Sequence, residues 1–350
     1  MMKNKFSAIK GIQAGNEFYT IMVKLGDLGR LIPAVDISLS AEDRAQRQLN
    51  RKRIPAIKRY ILDNRDSYVF SALACSIDGG FRFVPDSEHE NVGILEIDKD
   101  SKILINDGQH RKTAIIEALQ EAPDLAEESI PVVIFKDNGL IRSQQMFTDL
   151  NKHAVKTSNS IAELYDSKDE IAELTRHLLK MNLFIDKYTD REKDSLSKYS
   201  AKLFTFNTFY NANERILKDV ICDEATAERI VRYWNAVVNN ISLWKQMDEG
   251  ELPKVRLRED YLVCQAVVIE ALGQVGAYFM VHCDMIEETL AKLSMVDWKR
   301  SAKCWSGRCV KENAKMMKSN QAIILTGNAI KKVLGIPMSE EEKNIEKKKR

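Results

Sequence analysis

The chain is 350 residues long, 44% hydrophobic and 30% charged, with a formal net charge of +2. That balance excludes wholesale disorder, and the length is enough for two domains of roughly 100–200 residues each. Near-neutrality excludes a globally basic nucleic-acid binder, so any basic contact surface has to be local.

No apolar run reaches the ~18–20 residues that span a bilayer. Met1 to Lys10 carries lysines with no apolar secretory segment behind them. Both features predict a cytoplasmic protein without a membrane partner. The six cysteines are scattered through a large chain, which suits buried reduced thiols better than a disulfide framework.

In chain order, the first pattern is a strand over Phe18 to Lys24. Arg44, Arg47 and Arg51 then fall at i, i+3 and i+7, on one helix face. Lys52, Arg53, Lys58 and Arg59 follow, and Pro55 is placed to open the next helix at its N1 position. This is the densest basic stretch. It reads either as a DNA-backbone contact or as a solvated charged face. Strands are predicted at Phe70 to Ile77 and Gly93 to Ile97, with Asp78-Gly79-Gly80 as a hairpin turn returning along Phe81 to Val84. Lys102 to Asn106 and Pro131 to Lys136 are two more strands, the latter ending at Asp137-Asn138-Gly139.

Beyond Leu140 the period becomes helical. Ser160 with Glu163, and Ser167 with Glu170, have the spacing of capping boxes. Ile171, Leu174, Leu178 and Met181 form an apolar stripe. Further helices are predicted over Ala225 to Gln246, Glu259 to Phe279 and Cys283 to Leu293. The fold class is therefore α+β or α/β in the N-terminal part and mostly α-helical in the C-terminal part. The expected division is residues 1–145, residues 146–338, and a charged, fraying tail over 339–350.

The most specific segment runs from Lys102 to Leu119: an apolar strand, a polar turn at Asp107-Gly108-Gln109-His110-Arg111, then an amphipathic helix. Asn106 or Asp107 is the expected N-cap. Gly108 permits a tight turn and close approach of a ligand. The amides of Gly108, Gln109 and His110 would point from a helix N-terminus able to hold phosphate. Lys112 and Thr113, in the first turn, would add a charge and a hydroxyl, while Arg111 would reach an internal carboxylate. Asp107 and His110 are the candidate catalytic groups. Asp107 repels an anion unless Mg²⁺ bridges them, so ATP with Mg²⁺ is a conditional cofactor and none is required. The same residues also fit a purely structural turn.

Asn151, Lys152, His153 and Lys156 follow a predicted helix and would form either a second wall of that site or a polar linker. Lys303, Arg308, Lys311, Lys315 and Lys318 make a second basic patch near Trp305. Cys304 and Cys309, with His282 and Cys283 about twenty residues upstream, lack the paired spacing of a zinc site, and no metal is expected.

Asp107-Gly108-Gln109-His110-Arg111 is the pentapeptide that names the DGQHR domain. With Gln145 to Lys156, Trp305 to Arg308 and Ile323 to Lys331, it makes the chain resemble the DndB family of bacterial DNA phosphorothioate (sulfur) modification systems. The resemblance implies a ParB/sulfiredoxin-like N-terminal domain whose strand–turn–helix binds nucleotide phosphates. It also implies a DNA-binding regulator, a repressor of the modification genes, that does not itself install sulfur. Double-stranded promoter DNA and the other modification proteins would be the partners, and an oligomer is compatible with this role. Residues 107–113 with Asn151 and Lys156 would hold nucleotide; Arg44, Arg47, Arg51, Lys52, Arg53, Lys58, Arg59, Arg308 and Lys311 would hold DNA. Two rival readings stay open: a nucleotide hydrolase acting at the turn, and a scaffold for the modification complex that does not touch DNA.

Overall fold

The computed structural model describes residues 3–33, 49–136, 145–146, 148–150, 157–218, 220–282, 285–311 and 313–348. Arg44, Arg47, Asn151, Lys152, His153, Lys156 and Cys283 lie outside the described residues. The chain divides into two compact units, residues 1–155 and 156–350.

In the first unit, the described residues form a mixed seven-stranded sheet. Its strands are β1 (Lys3–Gln13), β2 (Asn16–Lys24), β3 (Leu73–Asp78), β4 (Phe81–Pro85), β5 (Val92–Asp98), β6 (Lys102–Asp107) and β7 (Ser129–Lys136), in the order β4-β5-β1-β2-β7-β3-β6. β3 and β7 are parallel and the other pairs antiparallel. β1 is absent from the sequence reading, because its lysines break the apolar alternation. It pairs with β2 through a two-residue turn, Ala14-Gly15, with positive φ at both positions, 49° and 76°. That geometry matches the right-handed strand twist.

Asp78-Gly79-Gly80 does not make the expected hairpin. β4 pairs with β5, while β3 pairs with β6 and β7. Four strands stand between β3 and β4 in the sheet. On a flat sheet they would be ~24 Å apart at ~4.8 Å per strand, yet the Gly79-Gly80 link reaches only ~11 Å at ~3.8 Å per residue. The sheet therefore curls until its two ends approach. Gly80 carbonyl oxygen accepts from the Asp98 N–H at 3.0 Å and the Ser101 hydroxyl at 2.8 Å, tying the two connections together.

One face of this sheet carries the core. Ile21, Val23, Cys75, Ile77, Ile103, Ile105, Val132 and Ile134 are buried there with side chains of three helices. These are α1 (Leu28–Leu31), α2 (Ile54–Asp63) and α3 (Gln109–Glu121). Ile54 and Ile61 anchor α2, and Ala114, Ile115 and Ala118 anchor α3. The period-2 alternation of β7, with Ile130, Val132 and Ile134 inward, is the pattern a half-buried strand requires.

The second unit is mainly helical, with a two-stranded parallel ladder of Thr189–Asp190 and Phe204–Thr205. Its core centres on Phe206, Phe209, Tyr233, Trp234, Trp244 and Phe279, all essentially inaccessible. The helix Ala266–Phe279 packs so closely on Phe206–Ile216 that a Cβ at Gly273 would come 2.3 Å from the Ala212 carbonyl oxygen.

Several local expectations are corrected here. Ser158 caps the helix Asn159–Tyr165, whereas Ser160 is buried and donates to the Lys193 carbonyl at 3.0 Å. Asp169 caps Glu170–Met181, not Ser167. Within that helix Leu174 and Leu178 are buried, but Met181 is 57% exposed because the chain turns away after it. The Ala225–Gln246 helix is broken at Ile241 into Glu224–Asn240 and Ser242–Asp248.

The expected fraying tail is also corrected. Residues 340–347 form a helix with a true capping box between Ser339 and Glu342. Glu342 is buried on Lys331 at 2.7 Å, and Glu346 receives Arg308. Ion pairs, not an apolar stripe, hold this helix down, so its composition alone reads as solvated.

Candidate functional site

The pentapeptide forms the junction between β6 and α3. Gly108 is itself the N-cap of α3, with φ 96° and ψ 12° and no side-chain cap. Neither Asn106 nor Asp107 caps the helix, which corrects that expectation. A Cβ at position 108 would lie 2.4 Å from Leu73 Cδ2 and 3.2 Å from Arg111 Nη2. Both the left-handed backbone and the packing therefore demand glycine.

Arg111 folds back over this glycine. Its Nη2 donates to Asp107 Oδ2 at 2.5 Å. Its Nη1 donates to the Ser71 carbonyl at 2.6 Å, to the Ser71 hydroxyl, and to the Ala72 carbonyl at 3.2 Å. Asp107 is thus neutralised within the turn, and the residues leading into β3 are fastened to it.

His110 Nε2 accepts the backbone N–H of Asn50 at 3.1 Å. Asn50 in turn caps the 3₁₀ turn Arg51–Arg53, its side-chain oxygen accepting from the Lys52 N–H at 3.2 Å.

Lys112 and Thr113 do not present an anion-binding pair at the helix start. Lys112 shares the buried face with Ile115, one turn on, and is 7% exposed. Its ammonium donates to the Pro33 carbonyl at 3.2 Å, and burial pushes its pKa below the ordinary lysine range. Thr113 Oγ1 donates to the Gln109 carbonyl at 3.0 Å, the local back-bond that hydroxyls make inside helices.

Asn106 is 3% exposed and donates to Met146 Sδ at 3.1 Å, leaving its own side-chain oxygen without a partner. Ser76, on the neighbouring strand, is likewise buried with an unpaired hydroxyl.

The sequence of the chain matches the family model DndB, described as DNA-sulfur modification-associated, over residues 6–337. The chain belongs to the DndB family. No curated protein and no solved structure matches it. The DndB match takes in both units, and the DGQHR turn lies within it.

The basic residues of this DndB protein separate into distinct environments. Arg51, Lys52, Arg53 and Arg59 are exposed, and none has an ion-pair partner among the described residues. Lys58 is different: it reaches back to Glu121 on α3 at 2.5 Å. Arg308 is corrected as a surface contact. It is 7% exposed, donates to the Leu325 carbonyl at 2.7 Å, and pairs with both oxygens of Glu346. A guanidinium so enclosed presents nothing to a phosphate. Lys303, Lys311, Lys315 and Lys318 remain exposed beside it, while Trp305 is buried and stacked on Trp298 at 5.8 Å.

Sequence reasoning passed over Asn50, Ser71 and Pro33. For Asn50 a signal was available: a capping residue directly before a turn that runs into a helix beginning with proline in its first turn. For Pro33 there was none, since it contributes only a backbone carbonyl, and for Ser71, which adds its hydroxyl to its carbonyl, no local pattern marks the contact. Among the described residues, no group of three or more His, Cys, Asp or Glu side chains is placed to hold a metal, and no helix is long and apolar enough to cross a membrane.

Proposed function

We propose that this DndB-family protein is a DNA-binding regulator, a repressor of DNA phosphorothioate modification genes, that works beside the modification enzymes without performing sulfur transfer. The observation that carries this reading is the basic turn Arg51–Arg53 with Arg59: four exposed cations without an ion-pair partner among the described residues, set on a capped turn ahead of an anchored helix. Exposed cations are available to phosphates, and each neutralised phosphate adds a salt-dependent increment to affinity. Lys311 and its neighbouring lysines would offer further phosphate contacts in the second unit. The pentapeptide serves in this reading as structure, since Asp107 and Arg111 satisfy one another.

The test is binding to the modification-gene promoter against a scrambled duplex of equal length, across a salt series, with and without ATP and Mg²⁺, with released phosphate read in the same tubes. Promoter-selective, salt-dependent binding without phosphate is the expected result. Replacing Arg51, Lys52 and Arg53 together by alanine should flatten the plot of log affinity against log salt by about 0.9 for each phosphate no longer neutralised. Phosphate release abolished by Asp107→Asn would make the protein a nucleotide hydrolase instead. Absence of any duplex binding, with a stable complex of modification proteins, would leave the scaffold.

A further inference from the structure

We infer that the first turn of α3 is a clamp that positions the basic turn, with His110 and Lys112 acting on DNA affinity through chain geometry and not by touching DNA. The inference rests on the DNA-binding reading above for its effect on affinity, and on the observed bonds for the clamp itself.

Three consecutive residues of this turn each hold a different part of the chain. His110 takes the N–H of Asn50, Arg111 takes the carbonyls of Ser71 and Ala72, and Lys112 takes the carbonyl of Pro33. Pro33 and Asn50 are the last and nearly the first described residues on either side of residues 34–48. Pro33 and Asn50 are therefore both bonded to side chains within two residues of one helix.

The chemistry of the two fastenings is unusual for the side chains involved. The Asn50 N–H precedes the 3₁₀ turn and has no acceptor inside it, so His110 supplies the bond the turn cannot make for itself. The same asparagine closes the turn through its side chain, and its carbonyl accepts the Arg53 N–H at 3.1 Å. The imidazole is thus linked through one residue to the backbone that carries Arg51, Lys52 and Arg53. Lysine ammonium groups normally stay in water. Lys112 is buried without a carboxylate partner among the described residues, and it spends its charge on one carbonyl. A buried cation serving a backbone oxygen is a positional device.

A basic turn held in place before DNA arrives loses less conformational freedom on binding. Releasing the clamp should weaken binding without altering how many phosphates are neutralised, so affinity falls while its salt dependence stays. This separates a positioning residue from a phosphate contact, which changes both.

The experiment compares the full chain with His110→Ala, His110→Gln, Lys112→Met and the Arg51/Lys52/Arg53 triple alanine variant, by duplex binding over a salt series and by tryptic cleavage at the basic turn without DNA. His110→Ala and Lys112→Met should each weaken binding roughly two- to tenfold at every salt concentration, the range for one missing hydrogen bond, with an unchanged slope. Both should speed cleavage after Arg51, Lys52 or Arg53. Gln places a carbonyl oxygen near the Nε2 position and should restore both properties. If the triple variant flattens the slope while His110→Ala and Lys112→Met bind and are cleaved like the parent, the clamp is wrong and the DNA reading stands. If His110→Ala flattens the slope, His110 is itself a phosphate contact and the clamp fails. If the triple variant leaves the slope unchanged, the DNA reading fails, and the cleavage rates alone decide whether the clamp exists.

Discussion

Arg308 meets Glu346 in a two-pronged ion pair, Nη1 donating to Oε2 at 2.8 Å and Nη2 to Oε1, with Arg308 itself 7% exposed. The planar fork of arginine matches the two carboxylate oxygens. Asn328 and Lys332 add donors to the same carboxylate at 3.1 and 2.8 Å. Removing one partner of such a pair leaves the other charge buried. Arg308→Met should therefore cost about 3 kcal/mol of stability. In thermal melts this corresponds to a Tm lower by roughly 6–12 °C for a unit of this size. A melt within about 2 °C of the parent would show that the pair contributes nothing net.

The same helix should be acid-sensitive. The Arg308 hydrogen bonds hold the Glu346 carboxyl well below the usual carboxylate range. Burial alone would raise Glu342, but its bonds from Lys331, Gln274 and the Ser339 N–H outweigh it and the net shift is downward. Carboxylates with depressed folded pKa contribute stability that is full above their unfolded value of about 4.3 and is lost as pH falls through the folded value. Protection of the amides of residues 340–347 against hydrogen exchange, corrected for the intrinsic rate at each pH, should be high at about pH 6 and fall below about pH 4, ahead of the Ala266–Phe279 helix. Simultaneous loss of protection in both would contradict a locally acid-labile helix.

Glu163 has the opposite shift. Burial raises it to about 7, against the hydrogen bond from Asn207 at 2.6 Å, with Asp194, Asp169 and Glu214 adding repulsion. Its second oxygen is buried without a partner. A raised acid binds its proton more tightly when folded, so stability falls as pH rises from about 4.5 to 7 and stays reduced above. Glu163→Gln should stabilise the protein by about 1–2 kcal/mol at about pH 8 and by almost nothing at about pH 4, in urea melts at the two pH values. Equal effects at both would point to packing instead of charge.

The β6–α3 turn allows a sharp contrast between neighbours. Gly108→Ala meets both a positive φ and Leu73 Cδ2, and should cost more than about 2 kcal/mol. Asp107→Asn keeps the shape and weakens a half-exposed pair with Arg111, so it should cost about 1 kcal/mol or less. Chemical denaturation of the two variants measures both. A larger loss for Asp107→Asn would mean that this carboxylate carries more than its pairing.

From Lys102 to Leu119, the sequence by itself determined the strand, the glycine turn and the helix. Each depends on local period and on backbone freedom at Gly108, and neither needs a distant partner. The apolar alternation of β7 and the helical second half were legible on the same ground. The tertiary structure decided everything that depends on which faces meet. Lys112 reads as a first-turn cation, but it shares a face with Ile115 and is carried inward. Arg308 reads as part of a basic patch, and Glu346 as part of a solvated tail; they are partners because two elements 38 residues apart in the chain pack together. β4 leaves its neighbour β3 for β5 because the sheet curls, and Asn50 and Pro33 enter the site through backbone groups that are common to the whole chain. Side-chain identity announces local conformation, whereas burial and partnership are properties of the packed chain.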